Sequence, residues 1–259
     1  MTMGNDVDFR LITAESTAAN LIDEFGICSP EHISVRDIAF AKGALVVEER
    51  VTGAAASIVK LGEHATIRIP PGDSQERKRF SIAHELGHLL MNHVESIQKV
   101  CTDEDMLNWY QSSQETQANF FASELILPTM LVSQRCDVET VNIDAIKAIA
   151  KDFRASLTAT AIKFVRLCPE KCAVVYSANG EIKWFYKSPD WWPFIRRNQK
   201  LDNRTLAYDF FADEAMESEP QGVDADAWIE NRGIDEIVEH SVASAQFGFV
   251  LSILWIRPD

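Results

Sequence analysis

The chain has 259 residues, 46% hydrophobic and 25% charged, with 25 Lys and Arg against 39 Asp and Glu for a formal net charge of -14. That apolar fraction excludes a mainly disordered chain, and the length accommodates one large domain or two modest ones. An acidic surface repels phosphate backbones, which excludes generic nucleic-acid binding by the whole molecule.

The first ten residues carry Asp6 and Asp8 and no apolar run, so no secretory signal is expected there. Leu11, Ala14, Ala18, Leu21, Ile22 and Phe25 follow a helical period and predict a helix over 10–25. A second helix is expected over 33–42, closed by Gly43. Strand-like runs at 44–49, 54–61 and 64–69 are punctuated by Gly53 and Gly62. After the loop Pro70-Pro71-Gly72-Asp73, residues 74–92 read as a helix with a dense apolar face. Residues 94–108 are polar and acidic and read as a connecting segment. A helix over 112–127 is stopped by Pro128. Helices follow at 143–153 and 157–167.

The texture then changes. Strands at 173–177 and 182–186 flank Asn179-Gly180, a strong hairpin signal, then come helix-like pieces and a final β run over 247–256. That run is the longest apolar stretch, about half of the roughly 20 residues a membrane span needs, so no membrane partner is expected. The five cysteines, Cys28, Cys101, Cys136, Cys168 and Cys172, are scattered and odd in number, which fits reduced thiols in a cytoplasmic protein. The domain boundary is expected near 167–171, giving domains 1–167 and 168–259.

The chemistry sits in His84-Glu85-Leu86-Gly87-His88. An i, i+4 spacing on a helix puts both imidazoles on one face, where both can bind a single metal. Glu85 lies beside them as a general base for water that zinc activates toward a peptide carbonyl, and it can hand the proton on to the leaving amine. A chance match to the five-residue pattern in such a chain is on the order of one in a hundred. Context strengthens it, because Phe80, Ile82, Ala83, Leu86, Leu89 and Leu90 bury the helix, and buried histidines need partners.

A catalytic zinc needs a third protein ligand. Glu95, Asp103, Glu104, Asp105, Glu115 and Glu124 are the nearby carboxylates. Glu115, Ala118, Ala122 and Leu125 form one helical stripe that is apolar except for Glu115, so Glu115 should point inward. Glu124 lies about half a turn around the same helix and should face away. The metal ligands expected are His84, His88 and Glu115, with Glu85 as catalytic base. Zinc is the expected cofactor, and mixed histidine and carboxylate ligation also accepts manganese or another divalent metal.

These segments resemble the ImmA/IrrE family of zinc metallopeptidases. Arg79-Phe80-Ser81-Ile82-Ala83-His84-Glu85-Leu86-Gly87-His88-Leu89-Leu90 is similar to that family's metal helix, and Glu115-x-x-Ala118-Asn119-x-Phe121-Ala122-x-Glu124-Leu125-x-x-Pro128 to its second signature. The resemblance covers roughly residues 74–130. It implies an α+β, zincin-like domain of helices and a small mixed sheet, with Glu115 as third ligand. It also implies regulatory proteolysis inside bacterial cells, in which a helix-turn-helix repressor, usually encoded next to the peptidase, is cut to release stress, mobile-element or defence genes. Some members carry a C-terminal GAF-like sensor domain. Residues 168–259 fit that α/β plan, with an unknown small-molecule or nucleic-acid signal.

Further candidates carry two readings each. His93 is i+5 from His88, off the ligand face, and reads as a polar helix-end residue. His240 and Tyr110 are candidate transition-state hydrogen-bond donors, His240 otherwise being an exposed helix residue. The strand holding His64, Ile67 and Ile69 is expected at a sheet edge, lining the substrate cleft by strand addition. Residues 143–167 carry a local net of +3 and resemble a helix-turn-helix; direct DNA contact is one reading, an interdomain helical hairpin the other. Trp191-Trp192-Pro193-Phe194 beside Arg196-Arg197 is either a stacking surface or a core plug.

Two rival functions stand beside the endopeptidase. One is a non-proteolytic, metal-stabilised binding module that sequesters a repressor or acts in a toxin/antitoxin pair. The other is a DNA-binding regulator using 143–167. Residues 202–239 hold 12 acidic against 2 basic side chains. The charge imbalance is therefore concentrated in the second domain, where it could attract a basic protein such as a repressor.

Overall fold

A computed structural model describes residues 5–49, 56–93, 98–101, 113–212, 217–230, 233–245 and 247–258. The chain divides into two compact units, residues 1–131 with 152–156 and residues 132–151 with 157–259. The expected boundary near 167–171 is later than this division. The helical hairpin 143–167 lies mostly in the second unit, apart from 152–156.

In the first unit, the helices α1 (Asn5–Glu24) and α2 (Val35–Ala41) precede three strands, β1 (Ala44–Glu48), β2 (Ala56–Leu61) and β3 (His64–Ile69). Gly43 and Gly62 have φ of 80° and 64°, the left-handed backbone that a residue without Cβ adopts at no steric cost. Helix α3 (Gln75–Leu90) is capped by the Ser74 side chain, which accepts from Arg77 N at 3.3 Å. Strand β4 (Gln98–Cys101) and helix α4 (Ser113–Ile126) follow. Strand β4 lies within the segment 94–108 that the sequence presents as a connector.

The sheet order is β1-β3-β2-β4, with β1 parallel to β3 and the other pairs antiparallel. Strand β3 is therefore internal. Its backbone pairs with β1 on one side and β2 on the other, so it has no open edge for strand addition, and the expected substrate-edge role of His64, Ile67 and Ile69 does not hold. Alternation survives in another role: Ala65, Ile67 and Ile69 are buried, while His64 is exposed. Ile58, Ile67, Ile69, Ile82, Leu86, Phe121 and Leu125 are among the buried residues that build this unit's core.

A short helix α5 (Thr129–Val132) follows Pro128. In the second unit, helices α6 (Ile143–Phe153) and α7 (Leu157–Leu167) fall at the expected positions. The hairpin β5 (Cys172–Ala178) and β6 (Glu181–Lys187) turns at Asn179 and Gly180, with φ of 55° and 71°, as a two-residue primed turn requires. Helix α8 (Leu206–Ala212) and strands β7 (Gln221–Asp224), β8 (Glu236–Ser244) and β9 (Phe249–Trp255) complete an antiparallel sheet in the order β6-β5-β9-β8-β7. Val175, Ile182, Trp191, Ile195, Trp228 and Leu254 belong to its core cluster. Residues 236–244 are thus a strand, where helix-like character was expected.

Glu239 on β8 is buried. Its carboxylate accepts from the backbone N–H of Leu206 and Ala207 at 3.0 and 2.7 Å, and from Trp228 Nε1 at 2.7 Å. It holds the start of α8 to the sheet. Trp191 is buried in the core, while Trp192 and Phe194 are exposed, so the aromatic run is a plug at one position and surface at two. Helix α7 is buried from Thr160 to Val165, Lys163 included, and Lys147 of α6 pairs with Glu217. A DNA-recognition helix has to be exposed, and α7 is not.

Candidate metal centre

Helix α3 delivers His84, Glu85 and His88, all buried to 0% exposure. Helix α4 lies against it and delivers Glu115. His84 Nε2 and His88 Nε2 lie 3.0 Å apart, and Glu115 Oε2 is 3.1 and 3.3 Å from them. The structure brings together His84, His88 and Glu115, the three side chains singled out from sequence.

The hydrogen bonds behind the imidazoles fix what the converging atoms are. His84 Nδ1 lies 2.9 Å from Asn119 Oδ1, an acceptor, so His84 carries its proton there and turns a lone pair on Nε2 toward the cluster. His88 Nδ1 meets His93 Nδ1 at 3.1 Å. Lone pairs on nitrogen and carboxylate oxygen that converge within about 3 Å repel one another unless a cation lies between them. The donor set thus fits a divalent metal such as zinc.

Cys101 joins the group. One ligand atom each from His84, His88, Cys101 and Glu115 lies within 4.8 Å of the others. The thiol is fully buried, and β4 places it through pairing of Cys101 with Ala56 of β2. Sequence reading counted Cys101 among scattered thiols. Asn119 and His93 were also missed as partners of the ligands. Asn119 had a signal: it sits i+4 from Glu115 on α4, hence over the same face.

His93 meets His88 through the end of α3. Asn92 is left-handed, with φ of 56°, and His93 N donates back to His88 O at 2.9 Å. This is the Schellman geometry, which folds the chain beneath the last turn and brings an i+5 residue beside its partner. The rings sit 5.3 Å apart between centroids.

Gly87 explains the closeness of the two helices. A Cβ there would lie 2.9 Å from Phe121 Cδ1 and 3.3 Å from Phe121 Cβ. Only a residue without a side chain lets α4 approach near enough for Glu115 to reach the histidines. Glu124 turns elsewhere, as its helical position implied: its two carboxylate oxygens accept from Thr129 N at 2.9 Å and Thr129 Oγ1 at 2.7 Å, fixing the turn after α4. Arg79 also serves the scaffold, donating to Ile33 O at 2.9 Å.

Tyr110, Glu95, Asp103, Glu104 and Asp105 fall outside the described residues. His240 is on β8 of the second unit, 2% exposed, not on an exposed helix. Its Nδ1 accepts from Ile143 N at 3.1 Å, and burial lowers its pKa below the ordinary imidazole value.

Fold and site together define a mixed α+β protein with a His–His–Glu centre on two packed helices. Residues 41–164 match the model of the IrrE N-terminal-like domain, peptidase family M78, which supports the resemblance of this segment to the ImmA/IrrE family. No curated protein matches the sequence. Among solved structures, a Mycobacterium tuberculosis transcriptional regulator is similar with a TM-score of 0.62 at 14% identity, over 94% of this chain and 76% of that one. At that identity the likeness concerns the fold alone. Among the described residues no helix is long and apolar enough to cross a membrane.

Proposed function

We propose that this protein is a zinc-dependent, site-specific endopeptidase whose substrate is a helix-turn-helix transcriptional repressor encoded next to it. The observation that carries the reading is the convergence of His84 Nε2, His88 Nε2 and Glu115 Oε2 within 3.3 Å, with Glu85 buried beside them. His84, His88 and Glu115 would hold the metal. When bound, zinc supplies a Lewis acid that acidifies water and polarises the scissile carbonyl. Glu85 takes the proton of the attacking water and passes it to the departing amide nitrogen. Asn119 and His93 keep the imidazoles in the tautomer and orientation that ligation needs.

The substrate class rests on the family and on the acidic segment 202–239, which would attract a basic DNA-binding protein. The regulator-like fold of the mycobacterial neighbour is in keeping with action in transcription control. The sheet of the second unit supports a sensor-like role for 168–259, in the manner of a GAF domain, and a cytoplasmic location follows from a repressor substrate.

The test is cleavage of the adjacent repressor by wild-type protein and by Glu85→Gln. Wild type should produce one cut and Glu85→Gln none, with equal zinc content in the two. A variant that still cleaves would refute Glu85 as base. A stable complex without cleavage by wild type would favour the metal-stabilised binding module. One observation favours that second reading: with Cys101 the cluster has the four donors of a closed structural site. Against it, Glu85 has no use in such a module.

A further inference from the structure

We propose that Cys101 is a fourth, removable ligand of this metal centre, and that its sulfur holds the site closed in the resting protein. The inference rests on the metallopeptidase reading and deepens it, since it concerns how that site is kept inactive.

A zinc held tetrahedrally by nitrogen, oxygen and sulfur at about 2.0–2.3 Å keeps its ligand atoms about 3.5 Å apart. Three donors lie 3.0–3.3 Å from one another and Cys101 completes a set confined within 4.8 Å. The fourth donor is delivered independently of the others: the helices carry His84, His88 and Glu115, and the sheet carries Cys101. The thiol is 0% exposed, so it is not a surface cysteine that happens to lie near the site. Cys28 is exposed, and Cys136, Cys168 and Cys172 are in the second unit. A thiolate and a carboxylate together with two neutral imidazoles also balance a divalent charge. Sulfur selects zinc over manganese, which narrows the choice that two histidines and a carboxylate leave open.

Four protein donors make a closed shell, whereas a catalytic site keeps one position open. Glu85, a buried base beside the ligands, is the mark of the open kind. The two features are compatible if one donor leaves. Asn119 and His93 tie down the imidazoles, and Glu115 belongs to a 14-residue helix that packs on both α3 and α1. Strand β4 has four residues, is outermost in the sheet and pairs through β2 alone among the described residues. Cys101 is thus the donor on the shortest of the elements that carry the cluster. While its sulfur is bound the site admits neither water nor substrate, and displacement of β4 opens it.

The test uses the full-length chain, stripped with chelator and reloaded with cobalt(II) or zinc. Wild type should bind one equivalent of cobalt with a thiolate-to-cobalt charge-transfer band. X-ray absorption of the zinc form should show one sulfur at about 2.3 Å beside the lighter donors. Cys101→Ser should bind one equivalent of cobalt without the band, and acetohydroxamate should bind that cobalt form at least about tenfold more tightly than the wild-type form. One equivalent of cobalt bound to wild type with no sulfur signal overturns the Cys101 assignment and leaves His84, His88 and Glu115 standing. Equal hydroxamate affinity overturns the closed state. Absence of cobalt binding to wild type overturns the metal reading and this inference with it. Should Cys101→Ser fail to fold, the two wild-type spectra decide.

Discussion

Gly87→Ala places a methyl group where the two ligand-bearing helices touch. Two effects oppose each other. Alanine is a better helix former than glycine by about 1 kcal/mol, which favours the variant. The new Cβ would lie 2.9 Å from Phe121 Cδ1, 3.2 Å from Cγ and 3.3 Å from Cβ. Ordinary carbon contacts begin near 3.5 Å, so about 0.6 Å must be found. Phe121 is 0% exposed, and the atoms met are the root of its ring, not a flexible tip. The strain therefore falls on the helix spacing. Overpacking of this kind costs about 1–3 kcal/mol, which offsets the propensity gain and leaves a net destabilisation of up to about 2 kcal/mol. Amide hydrogen exchange of α3 and α4 peptides in metal-free protein reads this locally, as exchange up to about 30-fold faster. Zinc affinity, measured by chelator competition, should fall as well, because Glu115 rides on the helix that is pushed away. Slower exchange together with unchanged zinc affinity would refute the close-approach argument.

The other predictions concern single groups. Glu115→Ala should lose its metal under conditions where wild type retains one equivalent, and full zinc occupancy by elemental analysis would reject Glu115 as a ligand. Asn119→Ala removes the acceptor for His84 Nδ1–H and should weaken zinc binding by about 10- to 100-fold without altering the ligand set; an unchanged dissociation constant would contradict the orienting role. Glu85→Gln should keep zinc and lose cleavage of the adjacent repressor. His240 accepts a backbone N–H and has a lowered pKa because burial penalises the cation. Its contribution to the second unit is complete above the ordinary imidazole value, about 6.5, and is lost as pH falls from there through the lower folded value. The second unit of wild type should therefore lose more thermal stability between about pH 7.5 and 5.5 than that of His240→Asn, and equal losses would count against it.

The rim of the metal centre shows where sequence reading stops. The resting place of His93 depends on one left-handed residue, Asn92, that reverses the helical periodicity used to place side chains. A residue counted off the ligand face is folded back onto it. Cys101 is hidden for a different reason. A four-residue strand has no periodicity of its own, and β4 exists because β2 offers it a backbone to pair with. The same dependence on partners misplaced β3. Alternation of Ala65, Ile67 and Ile69 announces a strand with one buried face, yet whether a strand is internal or at an edge is decided by which other strands flank it.

What the chain by itself determines is local. The i, i+4 histidines, the single carboxylate in an apolar stripe, the Asn179-Gly180 turn and the amphipathic helices α6 and α7 all follow from spacing within one element, because backbone geometry fixes which residues share a face. Tertiary structure decided the rest: that Gly87 admits Phe121, that Asn119 holds His84, that His240 lies in a buried strand, and that a sheet cysteine completes a cluster begun on two helices. Each of these joins residues distant in sequence, so its energy belongs to the packing of elements and leaves no mark in the order of residues along any one of them.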